Sequence, residues 1–290
     1  MEITASTVKE LREKTGAGMM ECKKALTECQ GDFEKATVWL RERGMAQVAK
    51  RAGRAANQGL VAVLVKGRAA AILELNCETD FVAKTDDFKA LASDLAVQAA
   101  DLSVSGAVRD ALLAQPLAKD PAKNVATHVT EVTAKLGENV ALKRVERIEL
   151  SGEGLFGSYV HGGKVGVLVE LAVDAAVAAK PEAAEVAKEL AMQVAASSPR
   201  FVVPAEVPAE ELDKERAIYL AEAKQAGKPE AIQAKIAEGK LQAYYKQICL
   251  MDQPYIREPK KAVKDMLKEA TAKLGGAVSV KRFVRMQLGE

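Results

Sequence analysis

The stretch AKLGENVALKRVERIEL (134–150) returns near the end of the chain as AKLGGAVSVKRFVRMQL (272–288), with nine of seventeen positions identical. Lys143, Arg144 and Arg147 recur as Lys281, Arg282 and Arg285. In the first copy Val140, Leu142, Val145 and Ile148 alternate with charged residues, which predicts a strand covered on one face. Upstream, Gly157 to Leu171 has the hairpin form of Gly59 to Leu75. Gly163-Lys164 stands in the turn where the first copy has Gly67-Arg68, and Val169-Glu170-Leu171 stands for Leu73-Glu74-Leu75. Glu189-Leu190-Ala191-Met192-Gln193 likewise echoes Asp94-Leu95-Ala96-Val97-Gln98. Two β-β-α-β units of one ancestry follow, each with three strands, and the tight turns imply antiparallel pairing. Sheets of so few strands are marginal alone, so helices must cover them, and the fold class is α+β.

Outward from this core, residues 1–55 read as three short helices resembling the ubiquitin-associated type of bundle. Thr4 and Asp32 are candidate caps, and Val8, Leu11, Met19, Cys22, Ala25, Leu26, Phe33, Ala36, Val38 and Leu40 fall at helical spacing. Residues 50–58 look like a linker or a frayed helix. A helix is expected from about Asp86, and a less regular helical stretch over 107–136, interrupted by Pro116 and Pro121. Residues 56–150 form core subdomain one and 151–200 the first part of core subdomain two. An insertion at 201–257 carries two helical patterns separated by Gly227-Lys228-Pro229, which predicts an antiparallel helical hairpin. The second subdomain finishes over 258–290. As an appendage, the hairpin should be removable over 209–250 with the core left folded.

Composition narrows the function classes. Forty-two basic residues against forty acidic ones give a net charge of +2, too balanced for a dedicated nucleic-acid binder. Cys22, Cys29, Cys77 and Cys249 form no C-x-x-C pair, and with His128 and His161 alone to assist them a zinc site is not expected. Unpatterned cysteine fits a reducing cytoplasm, and neither a signal core nor an apolar run near ~18 residues is present. No phosphate loop or dinucleotide fingerprint occurs, so direct nucleotide binding and a bound cofactor are not expected. Lys143-Arg144 and Lys281-Arg282 read most simply as solvated faces.

Two long segments, LREKTGAGMMECKKAL (11–26) and ELNCETDFVAK (74–84), resemble the signatures of the elongation factor Ts family, and the duplicated core and hairpin insertion match it over essentially the whole chain. The resemblance implies a guanine-nucleotide exchange factor, without chemical catalysis, for elongation factor Tu in its GDP-bound and nucleotide-free forms. It implies that Thr79, Asp80, Phe81 and Val82 enter the GTPase domain near its magnesium. It places Arg12, Met19, Met20 and Lys23 of the bundle against a GTPase helix, and His161 against another domain. Some members continue into a C-terminal helix, whereas this sequence stops at Leu288-Gly289-Glu290.

Each of these residues has a plainer reading. Thr79 or Asp80 is a helix cap with Phe81 in the core, Met19 is core and Arg12 a solvated charge, and His161 is a hydrogen-bonded surface residue. Two adjacent methionines cannot both enter so thin a bundle, which favours exposure of at least one. Two rival functions stand beside exchange. One is a helical-bundle module binding another protein, or RNA through the basic strands. The other is an enzyme using Cys77 with a histidine, for which no positioned base is visible.

Overall fold

The computed structural model describes residues 3–290, so Met1 and Glu2, assigned above to the bundle, lie outside the described residues. The chain forms two compact units, one of residues up to Ile148 together with Met286–Glu290, the other Glu149–Arg285.

The first unit opens with three helices, α1 (Ala5–Thr15), α2 (Met19–Glu28) and α3 (Phe33–Arg51). Thr4 caps α1 by accepting from the Thr7 amide while the Thr7 hydroxyl oxygen accepts from the Thr4 amide. Gly16, at φ 69°, ends the helix in the left-handed region that glycine adopts without a Cβ penalty. Asp32 caps α3, accepting from the Lys35 amide at 3.0 Å. Val8, Leu11, Cys22, Ala25, Leu26 and Ala36 are the buried centre, with Phe33, Trp39 and Leu40 against it. Val38 faces solvent. Helix α3 continues to Arg51, so only the start of the expected linker is helical.

Then come β1 (Gln58–Lys66), β2 (Ala69–Cys77), the single turn α4 (Asp80–Ala83), α5 (Asp86–Ala100), β3 (Gly106–Ala107), α6 (Arg109–Ala114), β4 (Pro116–Leu117), β5 (Asp120–Asn124), α7 (Val125–Leu136) and β6 (Ala141–Glu149). β1 and β2 are antiparallel, Gln58 opposite Cys77 and Lys66 opposite Ala69. The sheet order is β1-β2-β6-β3, one short strand more than the repeat predicts. The stretch expected to be helical over 107–136 is helical only in α6 and α7. Between them Pro116 and Pro121, which cannot donate to a helical ladder, sit in the small hairpin β4–β5. Phe88, Leu91 and Leu95 of α5 pack with Leu73, Leu75 and Val145 of the sheet.

The second unit repeats the plan with β7 (Gly154–His161), β8 (Val165–Ala172), the single turn α8 (Ala175–Ala178), α9 (Pro181–Ser197), the hairpin helices α10 (Ala209–Gln225) and α11 (Glu230–Ile248), then β9 (Pro254–Tyr255), β10 (Glu258–Ala262), α12 (Val263–Leu274) and β11 (Ser279–Gln287). Its sheet order is β11-β8-β7, with β7 and β8 antiparallel. Leu171, Leu190, Val194 and Leu267 lie in its core.

The duplication extends to polar contacts that hydrophobic pattern alone does not reveal. The Gln98 side chain donates to the Pro116 carbonyl at 2.6 Å and accepts from the Ala118 amide at 3.2 Å, clamping the β4–β5 hairpin. Gln193 does the same to Pro254 at 3.2 Å and to Ile256 at 2.9 Å. The ion pair Lys119–Asp94 has its counterpart in Arg257–Glu189, and Lys123–Glu131 in Lys261–Glu269.

The sequence reading makes Arg144 and Arg282 simply solvated, whereas in the structure both are half-exposed and paired with buried carboxylates. Glu74 and Glu170 are buried charges in β2 and β8, and a buried carboxylate needs a cation and donors around it. Arg144 lies 2.7 Å from Glu74, which also accepts from Asn76 and from the Gly289 amide. Arg282 lies 2.6 Å from Glu170, which accepts from the Ser151 amide and hydroxyl. Lys143 and Lys281 remain exposed, Lys143 reaching Glu74 at 3.4 Å.

Candidate functional site

β2 delivers the chain directly into the turn Thr79–Val82. Four residues cannot sustain a helix by their own hydrogen bonds, so α4 depends on its ends. Thr79 caps it, accepting from the Val82 amide at 3.4 Å. Thr79 is itself gripped twice by Glu138, its amide donating to one carboxylate oxygen at 2.9 Å and its hydroxyl to the other at 2.6 Å. At the far end the Thr85 hydroxyl donates to the Val82 carbonyl at 2.7 Å, and Thr85 caps α5. Val82 and Ala83 pack on the buried core.

Phe81 takes no part in that anchoring. It is 78% exposed, so the reading that sets it in the core does not hold. Asp80 is exposed beside it, its carboxylate 2.6 Å from the Lys84 ammonium, which also lies 5.9 Å from the Phe81 ring centroid. The outcome is a turn anchored at both ends that presents an aromatic ring and a carboxylate outward.

The second repeat provides an internal comparison. Its corresponding turn, α8, is capped by Asp174, which accepts from the Val177 amide at 2.8 Å, and Val177 is buried where Val82 packs. Ala175 and Ala176 stand where the first copy has Asp80 and Phe81, Ala179 where it has Lys84, and Gly276 where it has Glu138. The same scaffold therefore closes without the counterparts of Asp80, Phe81 and Glu138, with Glu153 accepting instead from the Ala175 amide at 3.2 Å.

The bundle presents a second exposed set. Met19 and Met20 open α2 at 44% and 74% exposure, and Lys23 lies one turn on from Met19. The buried residues of α2 are Cys22, Ala25 and Leu26, so Met19 is not core. Arg12 is exposed in the last turn of α1. Flexible, polarizable methionine on an open face suits an adaptable contact.

His161 belongs to the second unit. It is exposed at the end of β7, its Nδ1 3.1 Å from the Tyr159 hydroxyl, before the turn made by Gly162 and Gly163 at φ 57° and 71°. Cys77 does not carry the enzyme reading. It is fully buried, and burial, with the Glu138 charge adding to it, pushes its thiol up to about 11, so no thiolate is available near neutral pH. Among the described residues no group of three or more His, Cys, Asp or Glu side chains could hold a metal ion, and no helix is long and apolar enough to cross a membrane.

Glu138 is the residue that sequence reading missed. The usable signal was the comparison of 134–150 with 272–288, where the matched AKLG is followed by Glu138 in one copy and Gly276 in the other.

A family model described as Elongation factor TS matches residues 78–290. The chain is 45% identical to the elongation factor Ts of Clostridium perfringens (strain SM101 / Type A) over 291 residues, covering 99% of this chain and 93% of that protein. It is 45% identical to that of Nitratidesulfovibrio vulgaris (strain DP4) over 294 residues, covering 100% and 97%. For Prosthecochloris aestuarii the figures are 44% over 293 residues, with 99% of each chain covered. Matched over both repeats and the inserted hairpin, the chain belongs to the elongation factor Ts family.

Proposed function

We propose that this translation elongation factor is a guanine-nucleotide exchange factor for elongation factor Tu, acting in the cytoplasm without chemical catalysis. The observation that carries the proposal is the exposed Asp80–Phe81 pair on a doubly anchored turn whose duplicate bears Ala175–Ala176. A residue pair that the scaffold does not need, held stiff and facing outward, is the form a wedge requires.

In a GTPase, Mg²⁺ bridges the phosphates and protein side chains, so nucleotide affinity depends on their relative placement. Phe81, entering between packed elements of the partner, shifts them from one arrangement to another, because packed cores are bistable. Asp80 disturbs the metal's water shell, while Thr79 and Val82 hold the turn. Arg12, Met19, Met20 and Lys23 supply a binding surface that does not depend on nucleotide state, and His161 supplies a further contact. The factor binds the nucleotide-free partner more tightly than the GDP form, and by linkage GDP and the factor weaken each other equally. A 10³-fold acceleration of release needs about 4 kcal/mol of barrier lowering, which a few central contacts can supply.

The rival reading, RNA binding through the basic strands, is weakened because Arg144 and Arg282 pair with Glu74 and Glu170, which leaves Lys143 and Lys281 as the exposed members of those pairs. The deciding experiment is stopped-flow release of a fluorescent GDP from purified elongation factor Tu. Acceleration by catalytic amounts of this protein is expected, and an unchanged rate at saturating protein rejects the proposal.

A further inference from the structure

We propose that Glu138 is a positioning residue for the Asp80–Phe81 wedge, an inference that rests on the exchange reading. It neither faces outward with the wedge nor belongs to the hydrophobic core. Its two oxygens are spent on the amide and the hydroxyl of Thr79, the residue immediately before the wedge. Two hydrogen bonds to one carboxylate fix direction as well as distance, because both donors must stay in register.

The loop that presents Glu138 is itself held from several sides. Gly137, at φ 77°, ends α7 in a left-handed conformation. Asn139 is buried. Its amide donates to Glu78 at 2.7 Å, and its side chain donates to the Arg54 carbonyl at 2.8 Å, in the segment that leaves the bundle. Glu78 also pairs with Arg54 at 3.5 Å. Upstream, α7 packs against α3, with Arg41 3.3 Å from Glu131 and Gly44 close enough that an added Cβ would meet the Ala134 Cβ at 3.0 Å. One helix and its terminal loop thus carry the bundle on a flank and the wedge clamp at the end. The bundle surface and the wedge are thereby linked through α7 within this unit.

The other repeat again serves as the comparison. A Cβ at Gly276 would lie 2.6 Å from Val177 and 2.8 Å from the Asp174 carboxylate, so the space Glu138 uses is taken by the cap residue itself. That copy caps its turn with Asp174, and Glu153 accepts from the Ala175 amide at 3.2 Å. The copy with the wedge differs in placing one carboxylate on both the amide and the hydroxyl of the cap residue itself.

The test is GDP release from elongation factor Tu across a range of factor concentrations, comparing wild type, Glu138→Gln, an Asp80→Ala/Phe81→Ala variant and the combination. Gln is near-isosteric but has one acceptor oxygen for two donors. The expected result is a fall on the order of tenfold in the saturated release rate, the scale of one lost charge-assisted hydrogen bond. The half-saturating concentration should hold within about twofold, as for loss of an interaction made only at the transition state. In the wedge-less background Glu138→Gln should add no further loss, since it acts through residues already removed. An equal loss in both backgrounds, or a rise in half-saturation with no change in saturated rate, overturns the proposal. Should Glu138→Gln lack a cooperative thermal transition, Glu138→Gly, the residue of the other repeat, is measured in its place against the same expectations. A wild-type protein that does not accelerate release sinks the exchange reading together with this one. Wild-type acceleration with an unimpaired Glu138→Gln sinks this one alone.

Discussion

Arg144 places its guanidinium 2.7 Å from the carboxylate of Glu74, a residue with no solvent exposure in the middle of β2. Removing one member of such a pair leaves the other buried without compensation, which costs about 3–5 kcal/mol where no other donor remains. Lys143, Asn76 and the Gly289 amide still serve Glu74, so Arg144→Ala is expected to cost less than that range, about 2–3 kcal/mol. Urea unfolding monitored by circular dichroism measures it. A loss under about 0.5 kcal/mol, the ordinary range for surface substitutions, contradicts a structural role for the pair.

Acid should find the same groups. Burial pushes the Glu74 carboxyl up, but hydrogen bonds from Gly289, Asn76 and Arg144, together with the Arg144 charge, hold it below its ordinary value of 4.5. Burial likewise opposes, and Ser151 and Arg282 outweigh it, at Glu170. A carboxyl depressed in the folded state contributes stability that is full above its unfolded value and is lost as pH falls through the folded value. Thermal midpoints should therefore drop more steeply below pH 4.5 in wild type than in a Glu74→Gln/Glu170→Gln variant. Parallel curves count against this assignment.

Asp80→Ala with Phe81→Ala should leave the thermal midpoint nearly unchanged, because both side chains are exposed and the duplicate turn folds with alanines there. Partner binding should persist through the bundle while most of the exchange rate is lost, about a hundredfold if some 2.7 kcal/mol of barrier lowering resides in the wedge. Titration calorimetry and GDP release on the same samples separate the two effects. Equal weakening of both indicates ordinary binding residues.

The helical hairpin should be removable with narrower bounds than 209–250. Ile248, Cys249 and Leu250 are buried, Leu250 in the core of the second unit, and the Arg200 and Phe201 amides donate to the Ile248 carbonyl. Glu211 binds Arg200 and Tyr244 at the hairpin base. A shorter deletion, 215–240 replaced by a brief glycine–serine turn, should keep a cooperative transition, whereas removal of 209–250 should not. The opposite ranking in differential scanning calorimetry refutes this placement of the boundary.

Much of this architecture is legible in the sequence because it rests on period and punctuation. The strands announce themselves by alternation, the helices by their caps at Thr4 and Asp32, and the common ancestry by the run 134–150. What escapes is polar and long-range. An arginine beside a lysine in a strand looks solvated until the buried Glu74 across the sheet is known. Nothing local to Pro116 says that Gln98 will clamp it. The β4–β5 and β9–β10 hairpins are too short for a periodic signal, though aligning Gln115-Pro116 with Gln253-Pro254 exposes them together. Exposure of Phe81 is likewise not a local property, because a phenylalanine in the first turn after a cap is as consistent with a core position.

The alanines at 175 and 176 bear on how such a protein could have arisen. A chain that doubles its scaffold acquires a spare: one copy can drift toward an awkward, greasy surface while its sibling continues to meet the demands of folding. The quiet turn thus records what the architecture requires once recognition of another molecule is subtracted, and any other internally duplicated factor can be searched for its working edge by asking where the two halves disagree most on the outside.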